Sequence, residues 1–169
     1  MRRGIVSSSP ACSKRFEPNI GAQAYWQGWF DGAALPNPGK LGIGIVLVSP
    51  AGIRSETSAP VGGSGCNNEA ELHALCTALE LAFDAGARHL LLQGDSDVAI
   101  RYALGTDSTR IARLVVLIDR ARESMRRFEE VRLVWVPRHR NLEADGLSRQ
   151  ALDLPATRPK AATRRRRSR

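Results

Sequence analysis

Four carboxylic acids, far apart in the sequence, each lie beside a predicted boundary of secondary structure. Asp31 follows the aromatic-rich stretch 25–30, and Glu71 lies near the start of a helical pattern. Asp95 follows an apolar run, and Asp145 lies in the first turns of the last helical segment. The ends of strands and the starts of the helices that cover them can meet at one rim of an open α/β sheet, where binding sites lie. We therefore expect these four side chains to lie close together.

Four acids at one rim would repel one another strongly unless a cation neutralised them. Hard divalent cations prefer oxygen ligands, and Mg²⁺ in proteins usually keeps some waters and borrows phosphate oxygens from its substrate. Two such ions roughly 3.5–4 Å apart can activate a water and stabilise the leaving oxygen of a phosphodiester. A cluster of these four acids would therefore suit a divalent-cation site of the kind that acts on phosphodiesters.

Each acid also has a purely structural explanation. Asp31 precedes a turn, where aspartate often bonds to nearby backbone N–H groups. Glu71 stands three residues after Asn68, so the pair could form a capping box. Asp95 could cap a short helix, and Asp145 could be an acid favoured by the helix dipole. These four explanations are independent, whereas a metal site explains all four acids together.

The hydrophobic pattern predicts one α/β domain with the element order β-β-β-α-β-α-α-β-α. Apolar residues recur at helical spacing in "NNEAELHALCTALELAFDAG", and "ARHLLLQGDS" is too apolar for a half-exposed strand. The predicted strands cover 25–30, 41–52, 53–63, 87–96 and 131–138, and the predicted helices cover 67–86, 97–105, 109–130 and 141–154.

Basic residues are concentrated at the two ends of the 169-residue chain, whose formal net charge is +8. Residues 155–169 hold seven basic residues and no acid, whereas residues 18–154 hold 14 basic and 16 acidic residues. We expect a flexible extension over 1–23, a folded domain over 24–153 and a disordered basic tail over 154–169, since blocks of like charge repel themselves. The tail could bind nucleic acid through its phosphates, or it could be a solvated tail without a specific partner.

Other features argue against several classes of protein. The longest uncharged apolar stretch, residues 41–48, is much shorter than the roughly 20 residues of a membrane-spanning helix. The N-terminus lacks the apolar run of a secretory signal. Cys12, Cys66 and Cys76 form no C-x-x-C pair, which argues against a disulfide framework and against zinc. We expect a cytoplasmic monomer with no membrane contact and no zinc.

Four segments, in family order and spanning roughly residues 24–152, resemble type 1 ribonuclease H and the related domains of reverse transcriptases. Each segment alone is weak evidence, but the four together are highly specific. They are "FDGAALPNPGKLGIGIVL", "CNNEAELHAL", "LLLQGDSDVAI" and "VWVPRHRNLEADGLSRQAL".

The resemblance implies a ribonuclease H-like fold, which is a five-stranded mixed sheet with helices on both faces. It also implies an endonuclease that cleaves the RNA strand of RNA/DNA hybrids with two Mg²⁺ ions, leaving a 3′-hydroxyl and a 5′-phosphate. Mn²⁺ is a possible substitute for Mg²⁺. By the same resemblance, the catalytic and metal-binding residues are Asp31, Glu71, Asp95 and Asp145.

The resemblance further suggests residues that touch the substrate. Gly32, Asn37, Asn67 and Asn68 match family positions near the hybrid, and an amide can both donate to and accept from a ribose 2′-hydroxyl. Asparagine also serves turns and helix caps, so a structural role remains open. Some family members carry a histidine in the loop before the last acid, which makes His139 an auxiliary catalytic candidate, although it could equally be a solvated surface residue.

The sequence departs from the family pattern at three positions. Ala33 stands where the family often has serine, and Cys66 stands where it often has a threonine whose hydroxyl meets a phosphate of the DNA strand. Gly146 within the last helix costs about 1 kcal/mol relative to alanine. One alternative function is a non-catalytic or weakly active nucleic-acid-binding module, which would have no use for clustered carboxylates. Others are a related exonuclease or resolvase, although Asp31 lacks the second acid of an Asp-x-Glu pair, and a domain detached from a reverse transcriptase.

Overall fold

The computed structural model describes residues 24–155, which form five strands, four α-helices and one 3-10 turn. The strands are β1 (Trp26–Leu35), β2 (Gly39–Val48), β3 (Arg54–Gly65), β4 (His89–Gly94) and β5 (Glu130–Trp135). The helices are α1 (Asn67–Asp84), α2 (Asp97–Leu104), α3 (Ala112–Met125) and α4 (Leu142–Gln150), with the 3-10 turn at Arg138–Arg140.

The strands form one mixed sheet in the order β3-β2-β1-β4-β5. β1 pairs antiparallel with β2, which pairs antiparallel with β3, whereas β1, β4 and β5 run parallel. This arrangement, with β1 at the centre, confirms the predicted element order and fold class. The parallel half places the C-terminal ends of β1 and β4 on the same side of the sheet.

The main core lies between the sheet and α1, which is backed by α3. Phe30 of β1, Leu92 of β4 and Leu75 of α1 are fully buried there. The buried positions of α1 extend around most of the helix, because the sheet covers one side and α3 covers another. Burial of this continuous apolar surface is the dominant force that holds α1 across the centre of the sheet.

The opposite face of the sheet is covered by α4, which approaches β2 closely. A Cβ atom at Gly44 would lie 2.1 Å from the backbone oxygen of Ala144, and one at Gly42 would lie 2.5 Å from that of Ser148. Only glycine permits this approach. Since Asp31 pairs with Gly44 across the β1–β2 ladder, the missing side chain also brings α4 next to Asp31.

One expectation about Asp31 is wrong in detail. We expected β1 to end at Phe30, but the strand continues to Leu35, so Asp31 lies within it. The parallel partner β4 nevertheless stops at the pair Phe30–Gly94, and beyond it β1 pairs with β2 alone. Asp31 is therefore at the rim of the parallel half of the sheet, although it does not end its own strand.

The helix α3 is shorter than the predicted helix over 109–130. Its buried side is formed by Leu114, Leu117, Ile118 and Ala121, whereas Ile111 and Val115 are 51% and 36% exposed.

The expected N-terminal extension 1–23, and all but the first two residues of the expected tail 154–169, lie outside the described residues. No helix within residues 24–155 has both the length and the apolar character needed to cross a membrane.

Candidate active site

Three of the four predicted acids converge at the C-terminal end of the parallel strands. Asp31, Glu71 and Asp95 each offer a carboxylate oxygen, and these oxygens all lie within 4.8 Å of one another. We call these three residues the acid cluster. Asp31 lies one residue beyond the last β1–β4 pair, and Asp95 lies one residue beyond the end of β4. The sheet register therefore places these two acids side by side.

Glu71 reaches the cluster because α1 lies directly against β1. A Cβ atom at Gly32 would lie 2.1 Å from the backbone carbon of Ala70 and 2.3 Å from the backbone nitrogen of Glu71. The backbone N–H of Gly32 donates to Glu71 Oε2 at 3.2 Å. Gly32 was predicted as a substrate contact; in the structure it lets the helix approach and holds Glu71.

The helix-capping roles considered for Glu71 and Asp95 are filled by neighbouring residues. At the start of α1, the backbone N–H of Cys66 donates to Glu69 Oε2 at 2.8 Å, so Glu69 rather than Glu71 is the capping acid. At the start of α2, Ser96 Oγ accepts from the backbone N–H of Ala99 at 3.3 Å. Glu71 and Asp95 are therefore not required as helix caps.

The acid cluster is electrostatically strained. Burial, together with the charges of Asp95 and Asp145, raises the pKa of Asp31 to about 7, although a hydrogen bond from Ser148 opposes the shift. Burial also raises the pKa of Glu71 well above its usual value, and the charges of Asp31 and Asp95 add to this. Such a group of acids gains free energy from a cation that neutralises it.

Asp145, the fourth predicted acid, lies in the same cavity, although its carboxylate is not in the acid cluster. It is 1% exposed and forms an ion pair with the guanidinium of Arg138. The cavity has a volume of about 200 Å³, and its lining includes all four acids and two arginines, Arg138 and Arg149. Ser148 links the two sides, since its hydroxyl donates to Asp31 and lies 3.0 Å from the backbone oxygen of Asp145.

The histidine predicted as an auxiliary residue does not line this cavity. His139 is exposed and borders a separate pocket beside Trp29. The preceding residue, Arg138, takes the position at the acids. An arginine cannot exchange a proton near neutral pH, so the residue that this loop places at the acids is a fixed cation.

The predicted asparagine contacts lie in the β1–β2 hairpin and at the start of α1. Asn37 Oδ1 accepts from the backbone N–H of Asn67 at 3.1 Å, and Asn67 Oδ1 accepts from that of Ala34 at 2.9 Å. These bonds join the β1–β2 hairpin to the start of α1. Asn67 also lines the cavity, and Asn68 is exposed at the start of α1.

Sequence reasoning missed four residues that shape the site: Arg138, Asn141, Ser148 and Arg149. Ser148 follows Asp145 by three residues on α4, so helical spacing alone could have placed it on the same face. Asn141 directly precedes the last helical segment, and an asparagine just before a helix suggests a cap. Its actual contact, with Asp95, depends on the tertiary structure.

The donor atoms fit a hard divalent cation. The acid cluster offers three carboxylate oxygens and no sulfur or imidazole, which matches the preference of Mg²⁺ and Mn²⁺ over that of Zn²⁺. Among the described residues this is the one group of three or more potential ligands with such spacing.

Comparison with known proteins agrees with the fold. The family described as "Reverse transcriptase-like" matches residues 29–151. A ribonuclease HI of Halobacterium salinarum is 38% identical over 138 residues, which are 81% of this chain and 68% of that protein. A bifunctional protein of Mycobacterium tuberculosis is 30% identical over 75% of this chain, and the matched part is only 35% of that protein.

Solved structures show the same similarity. The crystal structure of RNase H1 from Halobacterium salinarum superimposes with a TM-score of 0.72 and 38% identity, covering 76% of this chain and 98% of that one. LC11-RNase H1, solved in complex with an RNA/DNA hybrid, has a TM-score of 0.69 and 28% identity, covering 76% and 96%. The chain therefore belongs to the type 1 ribonuclease H family of enzymes.

Proposed function

We propose that the protein is a metal-dependent endonuclease that hydrolyses the RNA strand of RNA/DNA hybrids with two bound cations. The observation that carries the proposal is the acid cluster, in which three carboxylate oxygens within 4.8 Å of one another lie in a cavity on the rim of the sheet. The similarity to LC11-RNase H1, which was solved with a hybrid, supports this choice of substrate.

In this proposal Asp31, Glu71 and Asp95 hold the cations, and Asp145 completes the site from the opposite wall of the cavity. When bound, divalent cations supply activation of the attacking water and stabilisation of the leaving 3′ oxygen. The protein's own task is to keep four acids at fixed positions despite their repulsion. Ser148 and the backbone of Gly32 contribute by donating hydrogen bonds to Asp31 and Glu71.

The cavity also carries groups suited to the nucleic acid itself. Arg138 and Arg149 place two guanidinium groups beside the acids, and guanidinium forms strong, directional hydrogen bonds to phosphate. Asn67 lines the cavity, and both Asn67 and Asn68 are exposed at the N-terminal end of α1. Their amide groups are suited to ribose 2′-hydroxyls, the feature that distinguishes RNA from DNA.

Several finer points belong to the same proposal. We expect Mg²⁺ to be the working cation with Mn²⁺ as a substitute, since both take oxygen ligands. We also expect a monomeric, cytoplasmic enzyme whose arginine-rich residues 155–169 strengthen binding through phosphates in a salt-dependent way.

The test is a cleavage assay with end-labelled RNA/DNA hybrid, double-stranded RNA and double-stranded DNA, each in Mg²⁺, Mn²⁺ or EDTA. We expect cleavage of the RNA strand in the hybrid alone, and none in EDTA. Asp31→Asn should lose at least a hundredfold in rate, because asparagine is a poorer ligand than a carboxylate. Asp84→Asn, an exposed acid at the end of α1, is the matched control and should cleave at the native rate.

Tight binding of the hybrid without cleavage in either metal would contradict this proposal. It would favour the alternative of a nucleic-acid-binding module. Cleavage that survives Asp31→Asn would show that the reaction does not use the acid cluster.

A further inference from the structure

Asn141, a buried amide just before α4, contacts the segments that carry three of the acids. Its Nδ2 atom donates to the backbone oxygen of Phe30 and to Asp95 Oδ1, both at 2.9 Å. Its own backbone oxygen accepts from the N–H of Asp145 at 3.0 Å. Phe30 immediately precedes Asp31 in β1, so one residue ties together β1, the end of β4 and α4.

The chemistry of the contact requires two donor protons on one short side chain. Both partners of the Asn141 Nδ2 atom are oxygen acceptors, so the reverse orientation of the amide would set oxygen against oxygen. A serine has one donor proton, and an ionised aspartate has none. Asparagine is the residue that supplies two protons from this distance, since glutamine is one methylene longer.

The Oδ1 atom of Asn141 shows that packing alone does not account for an asparagine at this position. Asn141 is 1% exposed, and its Oδ1 atom is buried without a hydrogen-bond partner among residues 24–155. A buried acceptor without a partner is destabilising. A leucine has the same branched shape and carries no unpaired acceptor, so the value of the asparagine lies in its two donors.

A second side chain holds the same acid from another direction. The indole N–H of Trp135, at the end of β5, donates to the backbone oxygen of Asp95 at 3.1 Å. Trp135 is 52% exposed, so it contributes this bond without being part of the core. Asp95 is thus held at its carbonyl by β5 and at its carboxylate by the segment before α4.

We propose that Asn141 is a positioning residue that fixes the Asp95 carboxylate for cation binding, with Trp135 as a weaker support. The inference rests on the proposed metal site. Without the amide, the Asp95 carboxylate would lose the donor that fixes its orientation, and it would be free to rotate away from Asp31 and Glu71. Partners that orient metal ligands typically contribute 10–100-fold in metal affinity or activity.

The test measures binding of Mn²⁺ alone to the full chain by calorimetry, without nucleic acid. Asn141→Leu should weaken Mn²⁺ affinity at least tenfold, and Trp135→Phe should weaken it about threefold. Ser58→Ala is the matched control, because the Ser58 hydroxyl also bonds to this part of the fold, at the backbone oxygen of Leu147 (2.8 Å), but touches no acid. Its affinity should stay within twofold of native.

Urea unfolding in EDTA separates positioning from folding. We expect Asn141→Leu to keep a cooperative transition close to that of Ser58→Ala, so that its loss of Mn²⁺ affinity is not a loss of structure. Asn141→Leu that binds Mn²⁺ within twofold of native would overturn the inference. If that variant does not fold, Asn141→Ser takes its place, and native-like affinity in Asn141→Ser would overturn the inference equally.

Failure of the proposed cation site would give a different result in the Mn²⁺ binding experiment. A native chain that binds no Mn²⁺ would show that the acid cluster is not a cation site. A native chain that binds Mn²⁺, with affinity insensitive to residue 141, would leave the cation site in place and remove only the positioning role.

Discussion

Two acids of α1, two residues apart, occupy opposite electrostatic environments. Glu69 is 6% exposed, but it accepts the backbone N–H of Cys66 and lies 3.0 Å from the guanidinium of Arg113. Glu71 faces Asp31 and Asp95, and burial with their charges raises its pKa. The first acid is matched by donors and stabilises the fold, whereas the second is held against like charges. A buried acid surrounded by other acids indicates a functional site; a buried acid with donors does not.

We expect the largest effect in the rate of hybrid cleavage, where substitutions of Glu71 and Glu69 should differ. Glu71→Gln should lower the rate of hybrid cleavage at least a hundredfold, because it removes a carboxylate from the acid cluster. Glu69→Gln should stay within twofold of native, since the glutamine oxygen can still accept the Cys66 N–H. Steady-state cleavage rates of the two variants at equal enzyme concentration check this. Equal losses in both would mean that the two acids do not differ in function.

The second prediction concerns the acid cluster and how the free energy of unfolding depends on pH. The pKa of Asp31 rises to about 7 on folding, from about 4 in the unfolded chain. Between these values the folded state binds more protons, so Asp31 lowers the free energy of unfolding as pH increases from about 4 to 7. In EDTA at pH 7.5, Asp31→Asn should therefore be more stable than native by about 1–3 kcal/mol.

Urea unfolding at pH 5 and pH 7.5 in EDTA measures this effect. The gain of Asp31→Asn over native should shrink at pH 5, where the native carboxyl is mostly protonated. Asp84→Asn, at an exposed site, should show no such pH dependence. An Asp31→Asn variant less stable than native at pH 7.5 would contradict the strain assigned to the acid cluster.

The third prediction concerns Glu69, the acid of α1 that stabilises the fold. Glu69→Ala removes the acceptor of the Cys66 N–H and should lower the free energy of unfolding by about 1 kcal/mol, as loss of a helix cap does. Arg113→Ala is the control for the ion pair and should cost less than about 0.5 kcal/mol, because the Arg113 side chain is 68% exposed. Chemical denaturation measures both. A larger loss in Arg113→Ala would place the stabilisation in the ion pair rather than in the cap.

The smallest expected effect tests whether Gly146, next to Asp145, loosens the site. A Cβ atom at Gly146 would meet no atom within 4 Å, so Gly146→Ala should stabilise the protein by about 0.5–1 kcal/mol. Its cleavage rate should stay native. Gly32→Ala is the contrasting variant and should unfold more easily, because its Cβ would lie 2.1 Å from the backbone of Ala70. A loss of activity in Gly146→Ala would show that flexibility at this glycine matters.

The sequence predicted the element order, the mixed sheet and the acids that lie around one cavity. These are encoded locally, because the apolar period identifies each strand and helix and the four segments resemble one family. The sequence did not identify the capping residues of α1 and α2 correctly. The choice between Glu69 and Glu71 as the capping acid, and between Asp95 and Ser96 at α2, depends on helix starts that differ by one or two residues.

The residue types that could bind a cation, and roughly the elements that carry them, were predictable from the sequence. The sheet register and the helix packing were not: β4 ends beside Asp31 although β1 continues, and Gly44 lets α4 bring Asp145 to the other wall. Nor was it predictable that Arg138, not His139, reaches the acids. The physical reason is that the closeness of side chains distant in sequence is set by strand pairing and helix packing, which no single segment encodes.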